Sequence, residues 1–234
     1  MTRPTLRERR RLDLTAEIKD AARTRLAADG LAALTLRAVA RDVGMAVSAL
    51  YRYFSSRDDL VTALLVDAYT AQAEAVEAAV ATADPAPAAG LRAGLLAFRE
   101  WSVAHPVEYG LMYGDPLPGY TAPADRLYRP GTRVASLLYR LVADADRAGD
   151  LDRAVAAARR DRLPPAHVEQ LDRWRRRRLP DMGLDAVVVT VDVWTRVQGL
   201  LSLEVFGQLR PVLPDPAGYY TTALDDALTA AGLT

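Results

Sequence analysis

The sequence predicts an all-α protein of two parts: an N-terminal domain of three helices that contains a helix-turn-helix, and a C-terminal helical domain. Apolar residues recur at helical spacing through most of the 234 residues, and no stretch of useful length alternates as a strand does. Segments with proline and glycine separate the periodic stretches. We place the boundary near Leu65, with residues 1–65 in the first domain and residues 66–234 in the second.

The first helix is predicted over residues 13–29. Its apolar residues recur at helical spacing, and the last of them precedes Gly30: Leu14, Ile18, Ala21, Ala22 and Leu26. Thr5 and Glu8 stand at the spacing of a capping box, so that a helical turn could begin earlier. The same region carries a basic N-terminal arm: Arg3, Arg7, Arg9, Arg10 and Arg11. Such an arm is either a disordered solubilising tail or a segment that reaches the phosphates or minor groove of DNA.

Residues 35–60 predict two short helices around a tight turn. The first of them has a single apolar face: Leu36, Val39, Ala40 and Val43. Thr35 is a good N-cap residue, and Gly44 stands where a left-handed residue commonly ends a helix. In the second helix Leu50 and Phe54 are four residues apart and are expected to face inward. Two helices joined by a short turn with glycine describe a helix-turn-helix, whose second helix enters the major groove of DNA.

The run from Leu50 to Leu60, Leu-Tyr-Arg-Tyr-Phe-Ser-Ser-Arg-Asp-Asp-Leu, resembles the recognition-helix signature of TetR-family transcriptional regulators. In that signature a Leu-Tyr-x-(His/Tyr)-Phe segment is followed by a basic residue, an acidic residue and a leucine. The resemblance covers about residues 14–65, and the segments 105–109 and 194–206 resemble one group of C-terminal domains of the family. Ala46 departs from the pattern, because members usually carry Ser or Thr there to cap the recognition helix.

The resemblance implies a surface that binds a double-stranded DNA operator, formed by nine residues: Thr35, Arg37, Val47, Ser48, Ala49, Tyr51, Arg52, Tyr53 and Arg57. Side chains near the start of the recognition helix lie nearest the base edges, and Val47 and Ala49 can offer apolar contact to a thymine methyl. Arg52 could bind phosphate or a guanine, and Arg57 is expected to bind phosphate. The alternative for the two tyrosines is that they only pack against the domain.

The distribution of charge supports DNA binding by the N-terminal domain. The formal net charge of the chain is zero, but the two parts of the chain carry opposite net charges. Residues 1–60 carry four more basic than acidic residues, and the remainder carries four more acidic than basic residues. Proteins that bind nucleic acid show a local basic region rather than a basic total. A second basic run, Arg175–Arg178, is either another nucleic-acid patch or a solvated helix face paired with nearby acids.

The remaining helices are predicted over these residues: 56 or 57 to 83, 88–104, 107–113, 125–148, 151–162, 165–178, 184–209 and 216–232. The linker at 84–87 and the loop at 114–119 are defined by their prolines and glycines. The last two helices are apolar on more than one face, which indicates burial on two sides. The resemblance implies that they form a four-helix homodimer interface, for which Leu200, Leu203 and Leu224 are candidates; the alternative is an ordinary monomer core.

Five aromatic residues and one flexible methionine of the C-terminal half could line a ligand pocket between helices: Trp101, Tyr109, Met112, Tyr113, Tyr139 and Trp194. Core packing is the alternative for each of them. No polar constellation indicates a class of ligand.

Catalysis, cofactors and metal sites find no support in the sequence. There is no cysteine, and His105 and His167 do not stand at ligand spacing. No catalytic or dinucleotide-binding motif is present, and no leader precedes the first helix. The apolar segment 184–209 carries Asp185, Asp192, Arg196 and Glu204, so we do not expect it to span a membrane. A cytoplasmic location is expected.

The leading hypothesis is therefore a homodimeric repressor that a small-molecule effector releases from its operator. One alternative is an enzyme or small-molecule-binding helical protein that uses the N-terminal module only for docking. Another is a regulator controlled by a protein partner through the loop at 114–119. The sequence does not identify the operator, the effector or the regulated genes, nor does it separate repressor from activator.

Overall fold

A computed structural model describes residues 5–114 and 119–233 of the chain. Every regular element in these residues is a helix, which confirms the predicted all-α fold. Two predicted features lie outside the described residues: Arg3 of the basic arm, and residues 115–118 of the loop at 114–119. The described chain forms two compact units. The N-terminal unit contains the residues up to Tyr69 together with Val107–Gly131, and the C-terminal unit contains Thr70–Pro106 and the residues from Thr132 onward.

These units are drawn differently from the predicted domains. Residues 107–131 belong to the N-terminal unit, which the sequence pattern did not predict. A boundary near Leu65 as the limit of an independent domain stays a prediction. Helices α4, over Arg57–Thr82, and α7, over Ala124–Ala148, each contribute more than one turn to both units.

The N-terminal unit begins with α1 over Leu6–Asp29, so the predicted start at residue 13 is wrong. The capping box explains the earlier start. The Thr5 hydroxyl accepts a hydrogen bond from the Glu8 amide at 3.3 Å, and the Thr5 amide donates to the Glu8 carboxylate at 2.7 Å. The basic residues from Arg7 to Arg11 are therefore on the first turns of a helix and do not form a disordered tail.

The core of the N-terminal unit joins α1, α2 over Leu36–Val43, α3 over Val47–Leu50 and the first part of α4. Ile18, Val39, Leu50 and Leu60 are fully buried in it. Ion pairs reinforce the same contacts, because Arg25 binds Asp42 of α2 at 2.7 Å and Lys19 binds Asp67 of α4 at 2.8 Å. Residues of α6, over Pro106–Tyr113, and of the start of α7 also pack against this core.

The C-terminal unit contains α5 over Pro87–Ala104, α8 over Arg153–Asp161, α9 over Pro165–Arg178, α10 over Leu184–Val205 and α11 over Pro216–Ala230. The predicted helices agree with these bounds to within a few residues. The largest difference is at the end of α10, which stops four residues before the predicted end at 209. Gly207 follows it with a φ of 74°, a left-handed conformation that other residues rarely adopt.

Helix α10 is central to the C-terminal unit and packs against α5, α8, α9 and α11. Among the residues described, it is the one helix long and apolar enough to cross a membrane by length and composition. Its acidic residues are paired within the unit instead: Asp185 with Arg160, Asp192 with Arg159, and Glu204 with Arg99. Core packing therefore explains its apolar composition.

Candidate nucleic-acid interface

The turn between α2 and α3 is fixed by its own backbone hydrogen bonds. Gly44 adopts φ 72° and ψ 27°, its amide donates to the carbonyl of Arg41, and the Met45 amide donates to the carbonyl of Ala40. This pair of bonds is the Schellman motif, which ends a helix at a left-handed residue. At the other end of α2 the Thr35 hydroxyl accepts from the Ala38 amide at 3.1 Å. The predicted N-cap and the predicted glycine C-terminus of α2 are both confirmed.

Helix α3 is short and has no side-chain cap. Ala46 at its N-cap position makes no capping hydrogen bond, and the α-helical residues end at Leu50. Helical hydrogen bonding nevertheless continues through a turn, because the amides of Tyr51 and Phe54 donate to the carbonyls of Val47 and Leu50. The predicted inward residues are confirmed, since Leu50 is fully buried and Phe54 is 4% exposed. The inward packing of these two residues holds α3 on the unit.

Three of the predicted DNA-contacting residues on α3 and its following turn are exposed: Ser48, Tyr51 and Arg52. Tyr51 is 54% exposed, so its ring and hydroxyl are accessible to a binding partner. Val47 and Tyr53 are half-buried and pack against the core, so part of each side chain has a structural role. For Tyr53 this agrees with the packing alternative considered from the sequence.

The other predicted residues lie on neighbouring elements. Thr35 and Arg37, at the start of α2, are exposed, and Ala49 is half-buried. Arg57, at the start of α4, is also half-buried. Its Nε donates to the carbonyl of Leu34 at 2.9 Å and its Nη2 donates to the carbonyl of Leu31 at 3.1 Å. Arg57 therefore holds the segment that precedes α2, a role that the sequence did not indicate, and fewer of its donors are free for phosphate.

Several arginines of the N-terminal unit form no ion pair within residues 5–114 and 119–233. All of them are exposed and lie on the first turns of α1, on α2 or directly after α3: Arg7, Arg9, Arg10, Arg11, Arg37, Arg41 and Arg52. Cations without a carboxylate partner keep all their donors available for phosphate oxygens. This basic surface adjoins the exposed residues of α3.

The start of α4 is held by a cluster that sequence analysis missed. The Asp59 carboxylate accepts from Arg126 of α7 at 2.6 Å and from the Ser55 amide at 3.1 Å. Burial acts to raise the pKa of Asp59, but the hydrogen bonds from Arg126 and Ser55 outweigh it and hold the pKa below its ordinary value. Thr62, which is buried, shares a hydrogen bond of 2.9 Å with the Tyr120 hydroxyl. Only a tertiary structure reveals these contacts, because their partners are about sixty residues apart in sequence.

The six predicted ligand residues are divided between the two units. In the N-terminal unit Tyr109 is fully buried, and the Tyr113 ring lies 5.0 Å from it and 6.1 Å from the Tyr69 ring. Met112 packs against the same core, and its carbonyl accepts a hydrogen bond from the Tyr69 hydroxyl at 3.4 Å. Burial, reinforced by the neighbouring tyrosines, raises the pKa of Tyr113 well above its ordinary value.

In the C-terminal unit the three remaining aromatic residues each pack against a different ring. Trp101 stacks on His105 at 4.5 Å, Trp194 lies 5.1 Å from Phe98, and Tyr139 lies 5.5 Å from Trp174. Trp101 is buried, whereas Tyr139 and Trp194 are only half-buried, and a ligand role for the six residues stays a prediction. His105 is also a helix-end residue, because its Nδ1 lies 2.7 Å from the Trp101 carbonyl.

The candidate dimer residues differ in exposure within one chain. Leu203 is 40% exposed, and Leu200 lines a groove of about 370 Å³ between α10 and α11 with Tyr219 and Ala223. Leu224 is only 1% exposed, because it packs into the core of its own unit. Leu224 also lines the same groove, so its role in a dimer stays a prediction beside its role in the core. The groove and Leu203 remain as the candidate interface.

Two arginines of the run Arg175–Arg178 pair with one acid on the same helix. Asp172 accepts from Arg175 at 2.7 Å and also binds Arg176, and these hydrogen bonds lower its pKa, with Arg176 contributing most. The solvated, acid-paired helix face is therefore the better description of this run.

Two family models match the chain, one toward each end of the sequence. Residues 18–64 match the family model for bacterial regulatory proteins of the tetR family, and residues 91–227 match the model for a tetracyclin repressor-like C-terminal domain. The HTH-type transcriptional regulators Mb1846 of Mycobacterium bovis and Rv1816 of Mycobacterium tuberculosis are each 38% identical over 209 residues, which is 88% of this chain and 87% of the relative.

Solved structures give the same result. The crystal structure of SCO4313, described as a regulatory protein, is 36% identical, covers 96% of this chain and all of that chain, and superposes with a TM-score of 0.74. The SmeT–triclosan complex is 18% identical, covers 93% of this chain and 91% of that chain, and has a TM-score of 0.65, which shows a shared fold.

Proposed function

This chain belongs to the TetR family and is a DNA-binding transcriptional regulator, and from that premise we propose that it is a homodimeric repressor released from its operator by a small molecule. The observation that carries the proposal is the surface of α3 and its following turn. Tyr51 and Arg52 are exposed there on a backbone that Leu50 and Phe54 fix to the core. A rigid support with exposed, unpaired side chains is what base and phosphate contacts require.

The homodimer is supported by the groove between α10 and α11. The exposed Leu203 and the groove-lining Leu200 and Tyr219 form an apolar surface on one chain. A second copy would cover this surface and would supply the second recognition helix. Operators with two half-sites need two linked helices because successive half-sites lie about 34–36 Å apart.

The small-molecule effector is supported by the similarity to SmeT, whose structure holds triclosan. The aromatic residues of the C-terminal unit, Trp101, Tyr139 and Trp194, are our candidates for effector contacts, with Tyr109, Met112 and Tyr113 of the N-terminal unit. Helices α4 and α7 contribute residues to both units, so they offer a covalent path from effector to α3. The effector must bind more tightly to the state that does not fit DNA than to the state that does. The coupling free energy between the two sites is typically about 1–3 kcal/mol. A cytoplasmic location follows from this proposal.

Two experiments test these points. The first is a gel-shift titration of the protein with DNA that flanks its own gene, where we expect a specific, dimer-sized complex. Absence of a complex at any salt concentration would contradict operator binding and favour a docking role for the N-terminal module. The second is isothermal titration of an identified effector with free and operator-bound protein. Reciprocity requires lower effector affinity in the operator complex, and equal affinities would contradict release.

A further inference from the structure

A deep cleft of the N-terminal unit lies between the first turns of α1 and the turn that follows α3. Its volume is about 750 Å³, and its walls include Arg7, Arg10 and Arg11 on one side and Arg52 and Tyr53 on the other. The early start of α1, fixed by the Thr5 capping box, forms the first of these walls. The cleft is thus a built feature of two helical segments and not a gap beside a loose arm.

The charge of the cleft is strongly positive. Within the described part of the chain, none of its four arginines forms an ion pair. The one carboxylate in the lining, Glu8, accepts hydrogen bonds from the Thr5 amide at 2.7 Å and the Thr5 hydroxyl at 2.9 Å. These bonds lower the pKa of Glu8, the amide contributing most, and direct its oxygens toward the helix end. The lining therefore carries four guanidinium groups against one carboxylate, and that carboxylate is held by Thr5 rather than by an arginine.

The cleft is continuous with the surface that reads DNA. Arg52 lies in the cleft wall, and it stands four residues after Ser48 on the same helical face of α3 and its following turn. A DNA strand whose groove holds α3 therefore passes beside the cleft, and its next phosphates are the nearest anions that can enter.

We propose that this cleft is a phosphate clamp: the first turns of α1 and Arg52 together bind the sugar-phosphate backbone beside the groove that α3 occupies. This inference rests on the proposed operator binding. The occupant is duplex DNA, because Arg52 of the recognition surface is part of the cleft wall and the donors are arginines, which match phosphate oxygens with paired donors. Backbone contacts of this kind position the protein and carry no sequence information.

Arg9 provides a matched control. It lies on the same turn of α1 and is exposed and unpaired like its neighbours, but it does not line the cleft. The test compares the triple variant Arg7→Ala/Arg10→Ala/Arg11→Ala with Arg9→Ala. Fluorescence anisotropy measures binding to the flanking DNA and to a random-sequence duplex of the same length, between about 50 and 200 mM salt. Melting temperature shows that each variant is folded.

We expect the triple variant to bind both duplexes about tenfold or more weakly, and its salt slope to fall by about 0.9 for each phosphate that the protein no longer neutralises. Arg9→Ala should change both quantities by much less than one third of that amount, which is the share of a single arginine if all four acted equally. Wild-type affinity and slope in the triple variant would overturn the clamp while leaving operator binding intact. An equal effect of Arg9→Ala, scaled per residue, would also overturn it, because general positive charge would then explain the loss. A wild-type protein that binds neither duplex would overturn the proposed function and the clamp with it.

Discussion

The basic surface of the N-terminal unit and the helix contacts of the C-terminal unit use arginine in opposite ways. On the basic surface of the N-terminal unit, Arg37 and Arg52 are exposed and form no ion pair within the described residues. In the C-terminal unit, arginines join helices that are distant in sequence: Arg92 binds Asp225 at 2.6 Å, and Arg99 binds Glu204. The presence of a carboxylate partner, more than the number of arginines, thus separates a surface that can bind DNA from one that stabilises a helical bundle.

The difference also explains why net charge is a poor guide to function here. The chain is neutral overall, and the basic run Arg175–Arg178 is denser than any segment of α2 or α3. Asp172 nevertheless holds two of those arginines, whereas the basic residues around α3 have no such partner. Four substitutions test this comparison, from the largest expected effect to the smallest, and a fifth tests it most directly.

Leu203→Arg should have the largest effect, because it places a charge on the proposed dimer surface. We expect a monomer by light scattering, and an operator affinity reduced by about 10³-fold or more, toward that for non-specific DNA. Val103→Arg is the matched control, since Val103 is also 40% exposed but lies on α5, whereas Leu203 lies on α10 three residues after the groove-lining Leu200. A Leu203→Arg protein that remains a dimer would contradict the proposed interface.

Arg99→Ala should destabilise the C-terminal unit. The carboxylate of Glu204 is only 9% exposed and would lose both hydrogen bonds from Arg99, leaving a buried charge without a partner. Such a loss costs about 3–5 kcal/mol of unfolding free energy. Urea denaturation measures it, and Arg99→Ala/Glu204→Gln should recover part of the stability. No change in the midpoint would mean that Glu204 is solvated.

Arg57→Ala separates structure from DNA contact within the N-terminal unit. The variant loses the hydrogen bonds to the carbonyls of Leu31 and Leu34, and we expect a loss of about 1–2 kcal/mol in unfolding free energy. Arg57→Lys keeps the charge without the forked donors and should be nearly as destabilised. If Arg57→Ala instead keeps its stability and loses only DNA affinity, the residue is a phosphate contact as first predicted.

Arg176→Ala should have the smallest effect. Arg176 is paired with Asp172 but is 72% exposed, so the pair contributes at most about 0.5–1 kcal/mol. We expect unchanged operator affinity and a melting temperature within about one degree or two of wild type. A clear loss of DNA affinity would restore the second nucleic-acid patch as an explanation of the arginine run.

Local signals in the sequence were sufficient for much of the fold. Thr35 and Gly44 predicted the ends of α2 because capping depends on the residue and its immediate neighbours. The start of α1 was predicted seven residues too late, because the apolar periodicity begins at Leu14 whereas the helix begins directly after the capping residue Thr5. The structural role of Arg57 was not predictable, because it depends on which distant backbone carbonyls lie beside its guanidinium group. The phosphate clamp was not predictable either, because one of its walls is formed by the first turns of α1.

The most direct test of the comparison sets Arg52→Ala against Arg177→Ala in operator binding at a fixed salt concentration. Both arginines are exposed and form no ion pair within the described residues, but one follows α3 and the other lies at the end of α9. We predict that Arg52→Ala weakens operator binding by about 1–3 kcal/mol at unchanged melting temperature, and that Arg177→Ala binds like wild type. Equal losses in the two variants, or none in Arg52→Ala, would contradict the assignment of DNA binding to the unpaired basic surface of the N-terminal unit.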